Sequence, residues 1–114
     1  MSFKEVVSYD DRVKEAKKIR ENYEDRIPVI IEKSKKAKCA TLDKYKFLVP
    51  EEMRVQELLY VIRKRLRLQS DIALYLYVGN QLPKLSELIF TLYQQHKDID
   101  GFLYVQYDTE STFG

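Results

Sequence analysis

Residues 46–66 read KFLVPEEMRVQELLYVIRKRL, and this stretch decides the fold. Lys46-Phe47-Leu48-Val49-Pro50 is a short strand that Pro50, lacking an N–H for the ladder, brings to a stop. From Val55 the period changes. Val55, Leu58, Leu59, Ile62 and Leu66 recur at i, i+3, i+4 and i+7 spacing, which predicts an amphipathic helix. Upstream, Arg26-Ile27-Pro28-Val29-Ile30-Ile31 reads as another strand, with Pro28 placed near its start or on an edge. The two strands are joined by a lysine-rich connection, residues 33–38.

Working outward, Ser8 followed by Asp11 looks like a capping box with Asp in place of Glu. Val13, Ala16, Ile19 or Arg20, and Tyr23 then recur at helical spacing, giving a charged amphipathic helix to about residue 22. A short apolar and charged piece, Phe3-Lys4-Glu5-Val6-Val7, precedes it. Downstream, residues 73–78 read as a strand and Gly79-Asn80 as a turn. Leu85, Leu88, Ile89, Leu92 and His96 fit a helix, and Gly101 breaks the chain before a last strand, residues 102–107. The order is helix, strand, strand, helix, strand, helix, strand, with an extra helical piece in front. It implies an α+β domain with a mixed sheet. The ubiquitin-like β-grasp is one such fold.

The 114 residues suit one compact core, and 45% are hydrophobic against 33% charged. The net charge of +2 does not point to nucleic acid. Basic residues nevertheless cluster, at Lys33, Lys35, Lys36 and Lys38 and again at Arg63, Lys64, Arg65 and Arg67. The longest clean apolar run, residues 72–78, is far too short to span a bilayer, and no secretory h-region follows Met1. One cysteine, Cys39, leaves no intramolecular disulfide and fits a reducing compartment.

Catalytic templates find little support. Cys39 and His96 lack the glycine-rich elbow and orienting Asn of a cysteine enzyme. There is no second Cys or His to complete a metal site, and no glycine-rich phosphate loop, so neither metal nor cofactor is expected. The pattern is that of a substrate or binder. In residues 46–50, Phe47 and Val49 fall on one face, Lys46 and Leu48 on the other. Such a two-faced strand is either buried between layers or lies at an edge open to an added peptide strand. Lys44, Lys46 and Arg65 would attract acidic residues flanking that peptide. The basic end of the helix at 59–66 either complements its dipole or presents a face to an acidic partner or membrane. The tyrosine-rich run Leu74-Tyr75-Leu76-Tyr77 reads as core on one face.

Several ordered motifs then coincide. They are Asp25-Arg26-Ile27-Pro28-Val29-Ile30, Glu32-Lys33, Leu42-Asp43-Lys44, Lys46-Phe47-Leu48-Val49-Pro50 and Ile62-Arg63-Lys64-Arg65. Leu92-Tyr93-Gln94, Asp100-Gly101-Phe102-Leu103-Tyr104-Val105 and Glu110-Ser111-Thr112-Phe113-Gly114 complete the set. From about residue 12 onward the chain resembles the autophagy ubiquitin-like modifiers, the family of GABARAP and microtubule light chain 3.

The resemblance implies a ubiquitin-like β-grasp with a four-stranded mixed sheet and two additional N-terminal helices. It divides the chain into a helical subdomain at 1–24, a core at 25–109 and a tail at 110–114. It implies a protein that is not an enzyme, joined through the carboxylate of Gly114 to phosphatidylethanolamine by activating and carrier enzymes and released by a deconjugating cysteine protease. A terminal glycine suits this, since without a Cβ it threads a narrow catalytic cleft. The family also binds motifs with an aromatic residue and an aliphatic one three positions on, carried by cargo receptors and adaptors. Carried over, the aromatic pocket uses Glu15, Ile19, Pro28, Ile30, Lys46, Leu48 and Phe102. The aliphatic pocket uses Phe47, Val49, Pro50, Met53, Leu58 and Val61, and Arg26 and Arg65 meet acidic flanks. A second surface around residues 74–77 is implied for helical motifs. The expected location is the cytoplasm, with autophagosomal membranes after lipidation and the lysosome or vacuole beyond.

This chain departs from the family at Val7-Ser8-Tyr9-Asp10-Asp11-Arg12, which is more acidic than the usual stretch and argues against tubulin binding. It departs also at Val55-Gln56-Glu57 and at Pro83-Lys84. Leu58 and Val61 are smaller than the residues common there, which implies a looser aliphatic pocket. The alternative function is a non-covalent ubiquitin-like adaptor in which only the peptide groove works.

Overall fold

The computed structural model describes residues 1–110. Gly114, and with it the expected point of conjugation, lies outside the described residues. The elements are α1 (Phe3–Val6), α2 (Tyr9–Asn22), β1 (Arg26–Lys33), β2 (Lys46–Pro50), α3 (Val55–Leu66), β3 (Tyr75–Tyr77), α4 (Ile89–His96) and β4 (Leu103–Asp108). They form the expected α+β arrangement, a four-stranded mixed sheet preceded by two helices. The strand order is β2-β1-β4-β3. β1 runs antiparallel to β2 and parallel to β4, and β3 runs antiparallel to β4.

β1 explains why the sheet has this centre. Its residues 27–31 are all buried, so it carries apolar side chains on both faces, as an inner strand flanked by layers must. Ile27, Val29 and Ile31 join the main core with Val55, Leu58 and Ile62 of α3, Leu92 of α4 and Leu103, Val105 and Tyr107 of β4. Ile30 points the other way, into a second cluster with Phe3, Ala16, Ile19 and Phe102. Pro28 is tolerated because it comes early in the strand. The pairing of β1 with β4 begins only at Val29↔Leu103, so no β4 partner is lost to the missing N–H.

The N-terminal helices start where their hydroxyls predict. Ser8 Oγ accepts from Asp11 N at 3.2 Å, which is the serine half of the anticipated box. Ser2 and Glu5 close a full capping box around α1. A buried ion pair clamps these helices to the sheet. Arg12 Nε donates to Asp100 Oδ2 at 2.8 Å, and Arg12 Nη1 donates to the carbonyl of Val7 at 2.7 Å.

Two elements are shorter than their periodicity suggests. The helix anticipated from Leu85 begins only at Ile89. Residues 85–86 instead form a turn, closed by Glu87 N donating to the Lys84 carbonyl, and the segment is tied to the start of α3: Gln56 N donates to the Leu85 carbonyl, Val55 N to that of Glu87, and Leu88 bridges Arg54. With those carbonyls engaged, Leu85 is left 54% exposed. The strand anticipated over 73–78 is regular only from Tyr75 to Tyr77, and Val78 instead bridges Gln81 across the Gly79-Asn80 turn.

Candidate functional site

β2 lies at the edge of the sheet, with β1 on one side only. Its side chains alternate as the sequence suggests. Phe47 and Val49 are buried, Leu48 is 38% exposed, and Lys46 and Pro50 are half-buried. Leu48 stands opposite Pro28 and Lys46 opposite Ile30 in the β1–β2 register.

Among the residues assigned to the aromatic pocket, Ile19, Ile30 and Phe102 meet in the second apolar cluster. Glu15 of α2 and Lys46 of β2 form an ion pair between helix and strand, so the two charged members of the set face each other across the space between those elements. Each is about one-third exposed, which makes the link worth little in stability and easily exchanged for another partner. Lys46 is thus paired with Glu15, a partner that the sequence did not indicate.

Phe3 of α1 is a member of this cluster that sequence reasoning missed. It is 2% exposed, its ring lies 5.2 Å from that of Phe102, and Lys46 Nζ sits 5.8 Å from its centroid. The available signal was the Ser2–Glu5 capping box, which fixes one turn of helix around Phe3.

The aliphatic set divides by depth. Phe47, Val49 and Leu58 belong to the main core, at 7%, 3% and 2% exposure, and so form a floor rather than an open wall. The reason is β2's alternation, which turns Phe47 and Val49 onto α3. Met53 packs against that core while partly exposed, and Pro50 and Val61 are half-buried. Lys44 Nζ and the Arg65 guanidinium lie 4.7 and 5.7 Å from the Phe47 ring centre, so cations cover the outer side of this floor.

Arg65 forks onto Asp43, with Nε and Nη2 each 3.2 Å from a carboxylate oxygen. Asp43 thus occupies the position an acidic flank would take, and this partner was not foreseen. Arg26 is half-buried at the start of β1. The basic end of α3 is also engaged. Arg63 donates to the carbonyls of Gln69 and Ile72, and Lys64 lies over the Tyr60 ring. That end closes the following loop, in addition to complementing the dipole.

Cys39 packs against the main core from the 34–45 connection, and His96 ends α4 exposed. Among the described residues no three His, Cys, Asp or Glu side chains gather as metal ligands. No helix among them is long and apolar enough to cross a membrane.

Comparison with known proteins places this geometry. The family model described as "Autophagy protein Atg8 ubiquitin like" matches residues 11–114. Autophagy-related protein 8 of Cochliobolus heterostrophus is 46% identical over 112 residues, covering 98% of this chain and 94% of that protein. The Neurospora crassa protein of the same name is also 46% identical, covering 98% and 93%. The crystal structure of Trypanosoma brucei ATG8 superposes with a TM-score of 0.92 at 37% identity, over 100% of this chain and 98% of that one. Plasmodium falciparum Atg8 in complex with a Plasmodium falciparum Atg3 peptide does so with a TM-score of 0.89 at 38% identity, covering 97% and 98%.

Proposed function

The chain belongs to the Atg8 family of ubiquitin-like autophagy proteins, and on that premise we propose that it is a lipid-conjugated modifier whose β2 edge recruits motif-bearing partners. The observation that carries the recruiting role is the open β2 edge with Leu48 exposed between two apolar sets. An extended peptide adds to that edge as a further strand. Its aromatic residue enters between α2 and β2, over Ile19, Ile30 and Phe102, and its aliphatic residue rests near Met53, Pro50 and Val61. Acidic residues beside the motif displace Asp43 from Arg65, or Glu15 from Lys46. Both exchanges cost little because the existing pairs are solvent-accessible. The neighbouring Plasmodium structure holds an Atg3 peptide, which supports a conjugation-enzyme segment as one such partner.

The modifier role rests on Gly114. Its carboxylate attacks the α-phosphorus of ATP to give an acyl adenylate with loss of pyrophosphate, an enzyme thiol displaces AMP to form a thioester, and the amine of phosphatidylethanolamine displaces that thiol to form an amide. The partner enzymes supply the catalytic thiols, and this chain supplies the acyl group. A cysteine protease reverses the amide. The conjugate resides on autophagosomal membranes and reaches the lysosome or vacuole with them, and the free form is cytoplasmic.

Two measurements separate these roles. Titration with an acidic peptide bearing the aromatic-x-x-aliphatic pattern should shift Leu48 and Phe102 amides in NMR spectra. Leu48→Ala should weaken that peptide about tenfold, from the apolar area it no longer covers. Unchanged affinity would remove β2 from the site. Incubation with ATP, the two enzymes and phosphatidylethanolamine vesicles should yield a lipid adduct for the wild-type chain and none for Gly114→Ala. A chain that binds the peptide yet forms no thioester is the non-covalent adaptor instead.

A further inference from the structure

The parallel pairing of β1 and β4 brings two features to one end of the sheet. Lys33 closes β1 opposite Tyr107, one residue before β4 ends at Asp108. The lysine-rich connection therefore leaves the sheet where the C-terminal segment does. It is fastened there. Ser34 N donates to the Tyr107 carbonyl at 2.9 Å, and the Tyr107 hydroxyl accepts from Leu42 N at 2.9 Å and donates to the Ala40 carbonyl at 3.0 Å. Lys33 Nζ adds a bond to the Cys39 carbonyl at 3.2 Å. Tyr107 itself is fully buried, so β4 and the connection are joined through the core.

What this stapled connection displays is positive charge. Lys35, Lys36 and Lys38 are exposed. The ion pairs among the described residues use Lys4, Arg12, Lys17, Arg20, Lys46 and Arg65 as cations, and none of these three. The nearby carboxylates have other duties. Glu32 accepts from Phe3 N at 2.8 Å, Glu5 closes the α1 capping box, and Asp108 Oδ1 accepts from Glu110 N at 3.1 Å. Lys35 and Lys36 share a cleft of about 340 Å³ with Gln106 of β4.

We propose that this end of the molecule is an electrostatic membrane-contact surface, on which Lys35, Lys36 and Lys38 rest against anionic lipid headgroups once Gly114 is held on the bilayer. The inference rests on the conjugation reading. From Glu110 to Gly114 is four residues, at most about 14 Å of extended chain. Ionic screening at physiological salt sets in over about 8 Å, so such a tether keeps Glu110 within about two screening lengths of the headgroups, at the end of the sheet from which the lysine-rich connection leaves. A basic side chain near an anionic leaflet gains about 1 kcal/mol, close to fivefold in population. A free acidic protein would first have to pay the entropy of association, whereas the anchored bilayer is already present at high effective concentration. The contact stands the strands end-on to the membrane, with the Gly101 end of β4, and Lys17 of α2 beside Gly101, on the opposite side.

The test uses the full chain anchored without enzymes. Cys39→Ser/Gly114→Cys protein is coupled to maleimide-headgroup phosphatidylethanolamine in phosphatidylcholine vesicles, with or without phosphatidylserine. Lysines are then labelled with an amine-reactive reagent and read by mass spectrometry. Lys35, Lys36 and Lys38 should label about fivefold more slowly on the phosphatidylserine vesicles, recover in high salt, and leave Lys17 unchanged. Equal labelling on both vesicles, or protection of Lys17 in their place, overturns the proposal. Failure of the enzymatic reaction at Gly114 would instead overturn the conjugation reading, which this anchored chain bypasses.

Discussion

Asp100 shows how much one buried residue organises. It is 2% exposed, and its carboxylate accepts from Arg12 Nε at 2.8 Å, from the Tyr104 hydroxyl at 2.5 Å and from Phe102 N at 2.8 Å. Burial first, and then the bond to this carboxylate, push the Tyr104 hydroxyl well above the ordinary phenol range. Arg12 extends the network to the carbonyls of Lys4 and Val7, so one carboxylate ties β4 to α2 and to the end of α1. Asp100→Asn keeps the size but leaves a guanidinium without its counter-charge. It should lower stability by about 3 kcal/mol in urea unfolding. The sequence displayed both residues, Arg12 in a capped helix and Asp100 before a glycine, but not their pairing. Nothing local joins positions 88 residues apart. The same limit applied to Asp43 with Arg65 and to Phe3 with Phe102, which is why those parts of the candidate site emerged only in three dimensions.

Among elements, those with one unopposed pattern were legible. α3 carries its apolar stripe at helical spacing, and β1 and β2 are bounded by proline and charge. Pattern failed where tertiary pairing claimed the backbone. Leu85 and Leu88 keep helical spacing with Leu92, yet the carbonyls of residues 85 and 87 accept from the start of α3. Two substitutions separate these environments. Leu92→Ala, at 3% exposure, should cost about 3 kcal/mol, while Leu85→Ala, at 54%, should change stability by under about 0.5 kcal/mol. Equal losses in chemical denaturation would mean that the α4 helix begins earlier. The entry to β4 is similarly demanding. Gly101 has φ of +95°, and a Cβ there would meet the Ala16 Cβ at 2.9 Å. Gly101→Ala should therefore lower the thermal midpoint by straining the turn and pressing α2 away from the sheet.

For the whole molecule, α+β class and strand count followed from the element order, and the motifs from Asp25 onward carried the family. The sheet order and its two apolar layers needed the long-range pairing of the first and last strands. The N-terminal helices are held to this sheet partly by charge. Lys4 Nζ reaches Asp98 at 2.7 Å. Burial alone would raise the Asp98 carboxyl. The Lys4 bond, the Asp100 amide and the charges of Lys4 and Arg12 outweigh it and hold the group below its ordinary 3.8. A carboxyl depressed in the folded state stabilises above its unfolded value, and that support disappears as pH falls through the folded value. Below about pH 4, α1 should loosen before the core does. A carbon-detected NMR titration should place Asp98 below 3.8, and Lys4→Gln should raise it. An Asp98 titration that ignores Lys4→Gln would dismiss the contact.

The last strand is not at the margin of the sheet but inside it, between β1 and β3. A load applied through the C-terminal segment pulls β4 along its own axis, and the ladders on both flanks resist together in shear. β2, by contrast, is held on one side and can be peeled away one bond at a time. Drawing on the C-terminal segment in an optical trap should thus need more force than drawing on β2.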